Sequence, residues 1–134
     1  MTTPVEVACM MTLPEEADTL FKHILQNARY AKRMIGGTPD THKGKTVAIC
    51  GAGPSLLDYL NQPQPYTDEV WACNSALPFL KSEGARVTHG IGIDQGEGML
   101  ADWAETFDVT YLLATSVHLK LVKHLKKHNR RIRW

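Results

Sequence analysis

The sequence is poor in the residues that usually carry covalent or metal chemistry. Its three cysteines, Cys9, Cys50 and Cys73, form no CxxC pair and are odd in number, which argues against a disulfide framework and against a zinc site. No Ser/His/Asp, Cys/His or paired metal-ligand spacing occurs along the chain. Cys50 and Cys73 lie in apolar runs, where a free cysteine usually behaves as a small buried hydrophobe. We therefore expect all three cysteines to be structural.

Long apolar runs are also missing. No stretch approaches the ~18 residues that a membrane span needs, and residues 1–12 lack the basic start and apolar middle of a signal peptide. A chain of 134 residues with 43% hydrophobic and 22% charged residues has the balance of one soluble globular domain. We expect a cytoplasmic protein that does not contact a membrane.

Acidic residues are absent from the last 18 positions. This segment carries seven cations, which are Lys120, Lys123, Lys126, Lys127, Arg130, Arg131 and Arg133. The rest of the chain has 8 Lys and Arg against 14 Asp and Glu, a net charge of −6. Such a basic end could attract nucleic acid or a phosphorylated ligand, but we favour a solvated helix face, so nucleic acid is left open as a partner and is not predicted.

The N-terminal part predicts one amphipathic helix and a linker, residues 1–44. Thr12 and Glu15 have the spacing of a capping box, and Gly36-Gly37 is a typical helix end. Apolar residues recur between them at steps of three and four, at Leu20, Phe21, Ile24, Leu25, Ala28, Ala31 and Ile35.

Residues 45–134 predict a nucleotide-binding domain in which strands alternate with helices. The predicted strands are Thr46–Cys50, Glu69–Cys73, Arg86–Ile93 and Val109–Ala114. The predicted helices are Ser55–Asn61, Ala76–Glu83, Glu97–Glu105 and Val117–His128, the last with Thr115 or Ser116 as its cap. This alternation indicates βαβ units, hence a Rossmann-like three-layer α/β domain with a mostly parallel sheet.

A glycine-rich turn, Gly51-Ala52-Gly53-Pro54-Ser55-Leu56, follows the first predicted strand. Its glycines permit close approach of a ligand, and the helix that begins there offers unpaired N–H donors. Pro54 has no N–H, so a phosphate would be held by the amides of Ala52, Gly53, Ser55 or Leu56. The third glycine of GxGxxG and the GKS or GKT ending of a P-loop are absent. The turn is a phosphate site of another type or a plain strand-to-helix corner.

Polar residues follow the other strands, at the sheet edge where ligands bind beside a reversal of strand order. Asn74 and Ser75 follow the second strand, and Asn74 either caps the next helix or contacts a nucleotide. Asp94 follows the third strand, where a carboxylate suits Mg²⁺ or a ribose hydroxyl; the alternative is a loop aspartate held by local N–H groups. His118 follows the fourth strand as a candidate general acid or base, or as an exposed helix histidine.

Three segments together resemble the 6-hydroxymethylpterin diphosphokinase-like family, which is related to the central domain of motility accessory factors and to domains of tailed-bacteriophage proteins. They are VAICGAGPSLLDYL, DEVWACNSALPFL and GARVTHGIGID, within residues 45–116. The resemblance implies ATP- and Mg²⁺-dependent diphosphate transfer to a hydroxymethylpterin-like small-molecule acceptor. It implies that Gly51, Ala52, Gly53, Pro54 and Ser55 lie at the phosphates, that Asn74 and Ser75 contact the nucleotide, and that Asp94 helps to hold the metal.

Two other functions fit the same residues. The GPSL turn followed by Asn74 is similar to bacterial sialyltransferases that use a CMP-sugar, in which case His118 would be the general base. A non-catalytic nucleotide-binding or phage assembly module is the third interpretation. Family members generally continue beyond the point where RRIRW begins a fifth strand here, which implies a sheet of few strands or a shortened relative. The open sheet edge near residues 130–134 predicts self-association as a homo-oligomer.

Overall fold

In the computed structural model, which describes residues 14–32, 43–61 and 67–134, short strands alternate with short helices. The strands are β1 (Val47–Cys50), β2 (Glu69–Cys73), β3 (His89–Gly92), β4 (Thr110–Leu113) and β5 (Arg131–Arg133). The helices are α1 (Pro14–Ala28), α2 (Ser55–Asn61), α3 (Ala76–Ser82), α4 (Gly98–Asp102) and α5 (Leu119–Lys127). Each predicted strand and helix is present, most of them shorter by a few residues, and the strand predicted to begin in RRIRW is β5.

The five strands form one all-parallel sheet in the order β1-β2-β3-β4-β5. The predicted α/β fold class, a Rossmann-like parallel sheet flanked by helices and preceded by an N-terminal helix, is confirmed. The expectation of a site beside a reversal of strand order is wrong for the described strands, because their order follows the chain throughout. Since parallel crossovers are right-handed, this order places α2, α3, α4 and α5 on the same face of the sheet.

The face that carries the core is built on one row of residues across the sheet. Strand register aligns Cys50, Ala72, Gly90, Tyr111 and Ile132. The first four are buried, and the small side chains in the middle of the row leave room for the helices. The next row on the other face includes exposed Ile49 and half-buried residues of β2, β3 and β4, so the core lies on the first face.

Gly90 is a position where a helix packs closely on the sheet. A Cβ atom there would lie 2.7 Å from Leu77 Cδ2, and it would lie 3.6 Å from both Trp103 and Tyr111. Leu77, Trp103 and Tyr111 are fully buried, so they have little freedom to move aside. Close packing on β3 therefore requires a residue without a side chain at position 90.

Helix α1 docks through polar residues rather than through its predicted apolar face. Phe21 and Leu25 are 64% and 72% exposed, whereas His23 and Asn27 are buried. The Asn27 side chain donates from Nδ2 to the carbonyl oxygens of Thr115 (3.0 Å) and Val117 (2.7 Å). These bonds satisfy backbone carbonyls between β4 and α5, which periodicity of apolar residues could not reveal.

The end of α1 comes earlier than predicted. Its last helical residue is Ala28, and the amide of Lys32 donates to the carbonyl of Tyr30 in a tight turn that leaves the helix path. The predicted cap Thr12, the last predicted apolar position Ile35 and the predicted stop at residues 36 and 37 lie outside the described residues.

Cys50 is buried and Cys73 is half-buried, and both are free thiols. Cys9 lies outside the described residues. Burial raises the pKa of the Cys50 thiol, and nearby Cys73 raises it further, which keeps it protonated and unreactive. Within the described ranges, none of the helices has the length and apolar character needed to cross a bilayer.

The packing at Gly90 predicts a large cost for a single methyl group. We expect Gly90→Ala to lower the free energy of unfolding by about 1–3 kcal/mol, because overpacking a filled core forces its neighbours out of position. The measurement is the denaturant midpoint followed by circular dichroism. Gly98→Ala is the matched control, since a Cβ there meets no atom within 4 Å. Equal midpoints for the two variants would contradict the prediction.

Candidate functional site

The carboxyl ends of the strands meet at one edge of the sheet. Cys73 lies beside Ile91, and Gly92 lies beside Leu113, so the segments that leave β2, β3 and β4 start next to one another. Parallel register therefore brings together polar residues that are far apart in sequence. The structure tests which of the predicted site residues share a cavity.

A cavity of about 450 Å³ lies at this edge, and we call it the Asp94 cavity. It is lined by Leu20, Asn74, Ile93, Asp94, Gln95 and Ser116. Two predicted site residues, Asn74 and Asp94, are thus neighbours. Gln95 was missed, although its position directly after Asp94 at the strand end was a signal that could have identified it.

Asn74 has an unusual backbone and an unsatisfied side chain. Its φ is 45°, in the left-handed region that few residues other than glycine adopt. Its carbonyl oxygen accepts bonds from Trp103 Nε1 (2.9 Å) and from the amide of Leu77 (3.2 Å). Its Oδ1 atom is buried and has no hydrogen-bond partner. The expected alternative, a helix cap, is wrong, because the cap residue of α3 is Ser75, whose own side chain makes no capping bond.

One carboxylate oxygen of Asp94 makes the local hydrogen bond expected of a loop aspartate, and the second oxygen is left for a ligand. Its Oδ1 accepts a bond from the amide of Gly96 at 2.8 Å, and the side chain is exposed. The neighbouring Gln95 Oε1 is buried and has no hydrogen-bond partner. Asn74 and Gln95, each with an orphaned amide oxygen, therefore line the same cavity as the Asp94 carboxylate. Amide and carboxylate oxygens are hard ligands that accept bonds from a hydroxyl or bind Mg²⁺.

The glycine turn lies outside the Asp94 cavity. Residues 51–55 are exposed and do not line it, and β1 is separated from β3 by two strand spacings, about 10 Å. Gly51 and Gly53 do not need positive φ, and a Cβ on either would meet no atom closer than 4.0 Å. The fold therefore does not require glycine at these positions.

One predicted phosphate donor of the turn is already used. The amide of Leu56 donates to the carbonyl of Gly53 at 3.0 Å, so its inclusion among the free amides is wrong. Ala52, Gly53 and Ser55 stay candidate donors.

His118 belongs to a second cluster, at the start of α5. It is the N-cap of that helix, and its Nδ1 accepts from the amide of Lys120 at 3.2 Å, so the predicted caps Thr115 and Ser116 are wrong. Its Nε2 lies 3.3 Å from Glu97 Oε1, and the Lys120 ammonium donates to the same oxygen at 2.7 Å. His118 therefore does not line the cavity that holds Asn74 and Asp94.

The second cluster keeps His118 neutral. Burial lowers its pKa, and His23, whose ring packs edge-to-face at 4.8 Å between centroids, lowers it further against the opposing effect of Glu97. The bond from Lys120 lowers the pKa of Glu97. A neutral imidazole that accepts a backbone bond at Nδ1 suits helix capping and leaves only Nε2 for other partners.

Comparison with protein-family models, with curated proteins and with solved structures finds no match to this chain. The resemblance to the diphosphokinase-like family therefore depends on the quoted segments, and function has to be argued from the site. Among the described residues no group of three His, Cys, Asp or Glu side chains is placed to hold a metal by itself, so a cation here needs amide, hydroxyl or ligand oxygens in addition to Asp94.

The lowered pKa of His118 predicts a pH dependence of stability. The unfolded chain takes up this proton near the ordinary value of about 6.5, before the folded chain does, so the free energy of unfolding falls as pH is lowered through that value. We expect the fall to be smaller in His118→Asn, because asparagine retains a capping oxygen and does not titrate. The measurement is the denaturant midpoint between about pH 5.5 and 7.5.

The control for this pH experiment is His128→Asn, which removes an exposed histidine. A His118→Asn profile identical to that of the unmodified chain would show that His118 titrates alike in the folded and unfolded states.

Proposed function

We propose that the chain binds a nucleotide with Mg²⁺ at the Asp94 cavity and transfers diphosphate from ATP to a hydroxymethylpterin-like acceptor. The observation that carries the proposal is that Asn74 and Gln95, whose oxygens Oδ1 and Oε1 are buried without a partner, line one cavity with Asp94. A buried polar atom without a partner costs about 1–3 kcal/mol, and a bound ligand that supplies a donor or a cation recovers it.

The residues present fit a magnesium ion. Mg²⁺ prefers oxygen ligands, commonly uses one or two carboxylates and takes the rest from water and phosphate. The second carboxylate oxygen of Asp94 would hold it, with the Ser116 hydroxyl and the Gln95 side chain lining the same cavity. When bound, Mg²⁺ would offset the electrostatic repulsion between the Asp94 carboxylate and the negatively charged phosphates.

The position of the glycine turn, at the end of β1 on the same edge of the sheet, supports the proposal. Its residues are exposed at the edge that also carries Asn74 and Asp94, and its glycines leave open space that the fold does not use. A ligand long enough to span two strand spacings would contact both the turn and Asp94. A polyphosphate chain is such a ligand, because it carries a charged group at each end of that span.

The proposed transfer requires positioning more than it requires a nucleophile on the protein. The hydroxymethyl oxygen of the acceptor attacks the β-phosphorus of ATP and forms a new P–O bond. The bond between the β-phosphorus and the oxygen that bridges it to the α-phosphorus breaks, AMP leaves, and the hydroxyl proton passes to solvent. Asp94 and Asn74 would orient the phosphates, whereas His118 lies in the other cluster as a helix cap.

Asp94→Asn is the variant that tests the metal. Its amide oxygen can still accept the Gly96 bond, so the loop is preserved while the charge is lost. We expect ATP to raise the melting temperature of the unmodified chain only when Mg²⁺ is present. At 100 times Kd the bound ligand should stabilise the fold by about 2.7 kcal/mol. The melting temperature of the variant should rise much less. Asp102→Asn is the control, since Asp102 is exposed on α4 and does not line the Asp94 cavity.

Gly53→Ala tests the glycine turn separately from the fold. An added Cβ would lie 4.0 Å from Ser55 Oγ, so we expect the free energy of unfolding to change by less than about 0.5 kcal/mol. If the turn approaches phosphate, the methyl group should weaken ATP binding about tenfold, measured by calorimetry. Unchanged binding in a folded variant would show that the turn is only a corner.

The same experiments separate the competing functions. AMP release that depends on a hydroxymethylpterin supports diphosphate transfer, and magnesium-dependent ATP binding without AMP release supports a non-catalytic module. Stabilisation by CMP without metal would favour glycosyl transfer instead. Absence of a shift with ATP, GTP, CTP and CMP would contradict diphosphate transfer, glycosyl transfer and nucleotide binding, and would favour an assembly module.

A further inference from the structure

A positively charged groove lies between α1 and α5 and shares no lining residue with the Asp94 cavity. The two helices lie side by side: His23 contacts His118 near the start of α5, and Lys126 lies 4.6 Å from the ring centroid of Tyr30 near its end. Each end of this seam contains a cavity, one of about 460 Å³ and the other of about 350 Å³. We call the two cavities together the basic groove.

Cations from three elements converge on the basic groove. The larger cavity is lined by Lys22, Lys120 and Lys123. The smaller cavity is lined by Lys32, Lys126, Arg130, Arg131 and Arg133. Within the part of the chain that the structure describes, neither cavity is lined by an aspartate or a glutamate.

Among the side chains that the structure describes, carboxylates pair with cations of the basic groove at two places. Glu97 binds Lys120 at 2.7 Å, and Asp108 lies 3.6 Å from Arg131, and both pairs are exposed. Exposed pairs of this kind contribute little and are readily exchanged for another anion. The segment that supplies most of these cations contains no acid, although the rest of the chain is net negative.

The extent of the groove indicates a repeating anion. Lys120 and Lys126 are six residues apart on α5, which corresponds to about 9 Å along the helix. Arg131 and Arg133 of β5 line the cavity at the Lys126 end. One phosphate group cannot contact cations over this length. A nucleic acid, whose charges repeat every few ångströms along the backbone, can contact them in series.

The residue types favour phosphodiester over carboxylate partners. Three of the cations are arginines, and a guanidinium group can form two parallel bonds to one phosphate. Arg130 is already oriented, because its Nε donates to Thr106 Oγ1 at 3.0 Å. Tyr30 lines the same cavity, and the Lys126 ammonium lies over its ring, which holds that charge at the groove.

We propose that the basic groove binds the phosphodiester backbone of a nucleic acid. The proposal does not depend on the proposed function of the Asp94 cavity, because the two sites share no lining residue. Binding is driven by release of counterions from the backbone and is therefore salt-dependent and only weakly selective for sequence.

The test measures binding by the fluorescence anisotropy of a labelled oligonucleotide of about 20 nucleotides, at salt concentrations between about 50 and 200 mM. Separate arms use single-stranded DNA, duplex DNA and RNA. The test variant combines Lys123→Gln, Lys126→Gln and Arg133→Gln. The matched control combines Lys43→Gln, Lys45→Gln and Lys81→Gln, which remove the same charge outside the groove. Circular dichroism confirms that each variant is folded.

We expect the groove variant to bind roughly tenfold more weakly at about 50 mM salt, with a salt slope reduced by about 0.7–0.9 for each lost phosphate contact. The control should bind as the unmodified chain does. The arm that binds most tightly identifies the form of nucleic acid. The proposal is overturned if no arm binds at the lowest salt, if the control weakens equally, or if polyglutamate of equal charge competes as well as the oligonucleotide.

Discussion

The absence of a side chain at Gly90, on the core face of β3, is the constraint on which the rest of the structure depends. Because Gly90 has no side chain, Leu77 and the indole of Trp103 pack directly on the strand. Trp103, fully buried, then reaches from the core to the sheet edge and donates its Nε1 hydrogen to the carbonyl of Asn74. The amide of Asn74 donates to Ile91 on the neighbouring strand. Core packing and the geometry of the candidate site are thereby coupled through one indole.

Asn74 concentrates two unfavourable features in one residue. The buried oxygen without a partner costs on the order of 1–3 kcal/mol, and the left-handed backbone adds a smaller strain, since asparagine tolerates this region better than most residues. The bonds from Trp103 and Leu77 hold this conformation but do not satisfy the side chain. Such a cost persists where surrounding packing imposes it, and it is typical of positions that meet a ligand. The site is therefore argued from Asn74 and its neighbours rather than from the glycine turn.

Sequence reasoning succeeded where local signals and parallel register were sufficient. The start of α2 at Ser55 follows the glycines and proline of the turn, and Asn74 and Asp94 meet because parallel strands end at one edge. Strand order was not predictable, since no local pattern states on which side of its predecessor a strand adds. The docking face of α1 was also missed, because His23 and Asn27 are buried by bonds to distant carbonyls that leave no periodic trace.

The loop from Asp94 to Glu97 is fixed at both ends and unsatisfied in the middle. At its start Asp94 accepts the Gly96 amide, and at its end Glu97 is held by Lys120 and His118. Between them the Gln95 oxygen is buried without a partner. A ligand that donates a hydrogen bond to this oxygen would recover the cost of the unpaired atom, about 1–3 kcal/mol. Gln95 is therefore the residue of this loop at which a bound ligand would change the hydrogen bonding most.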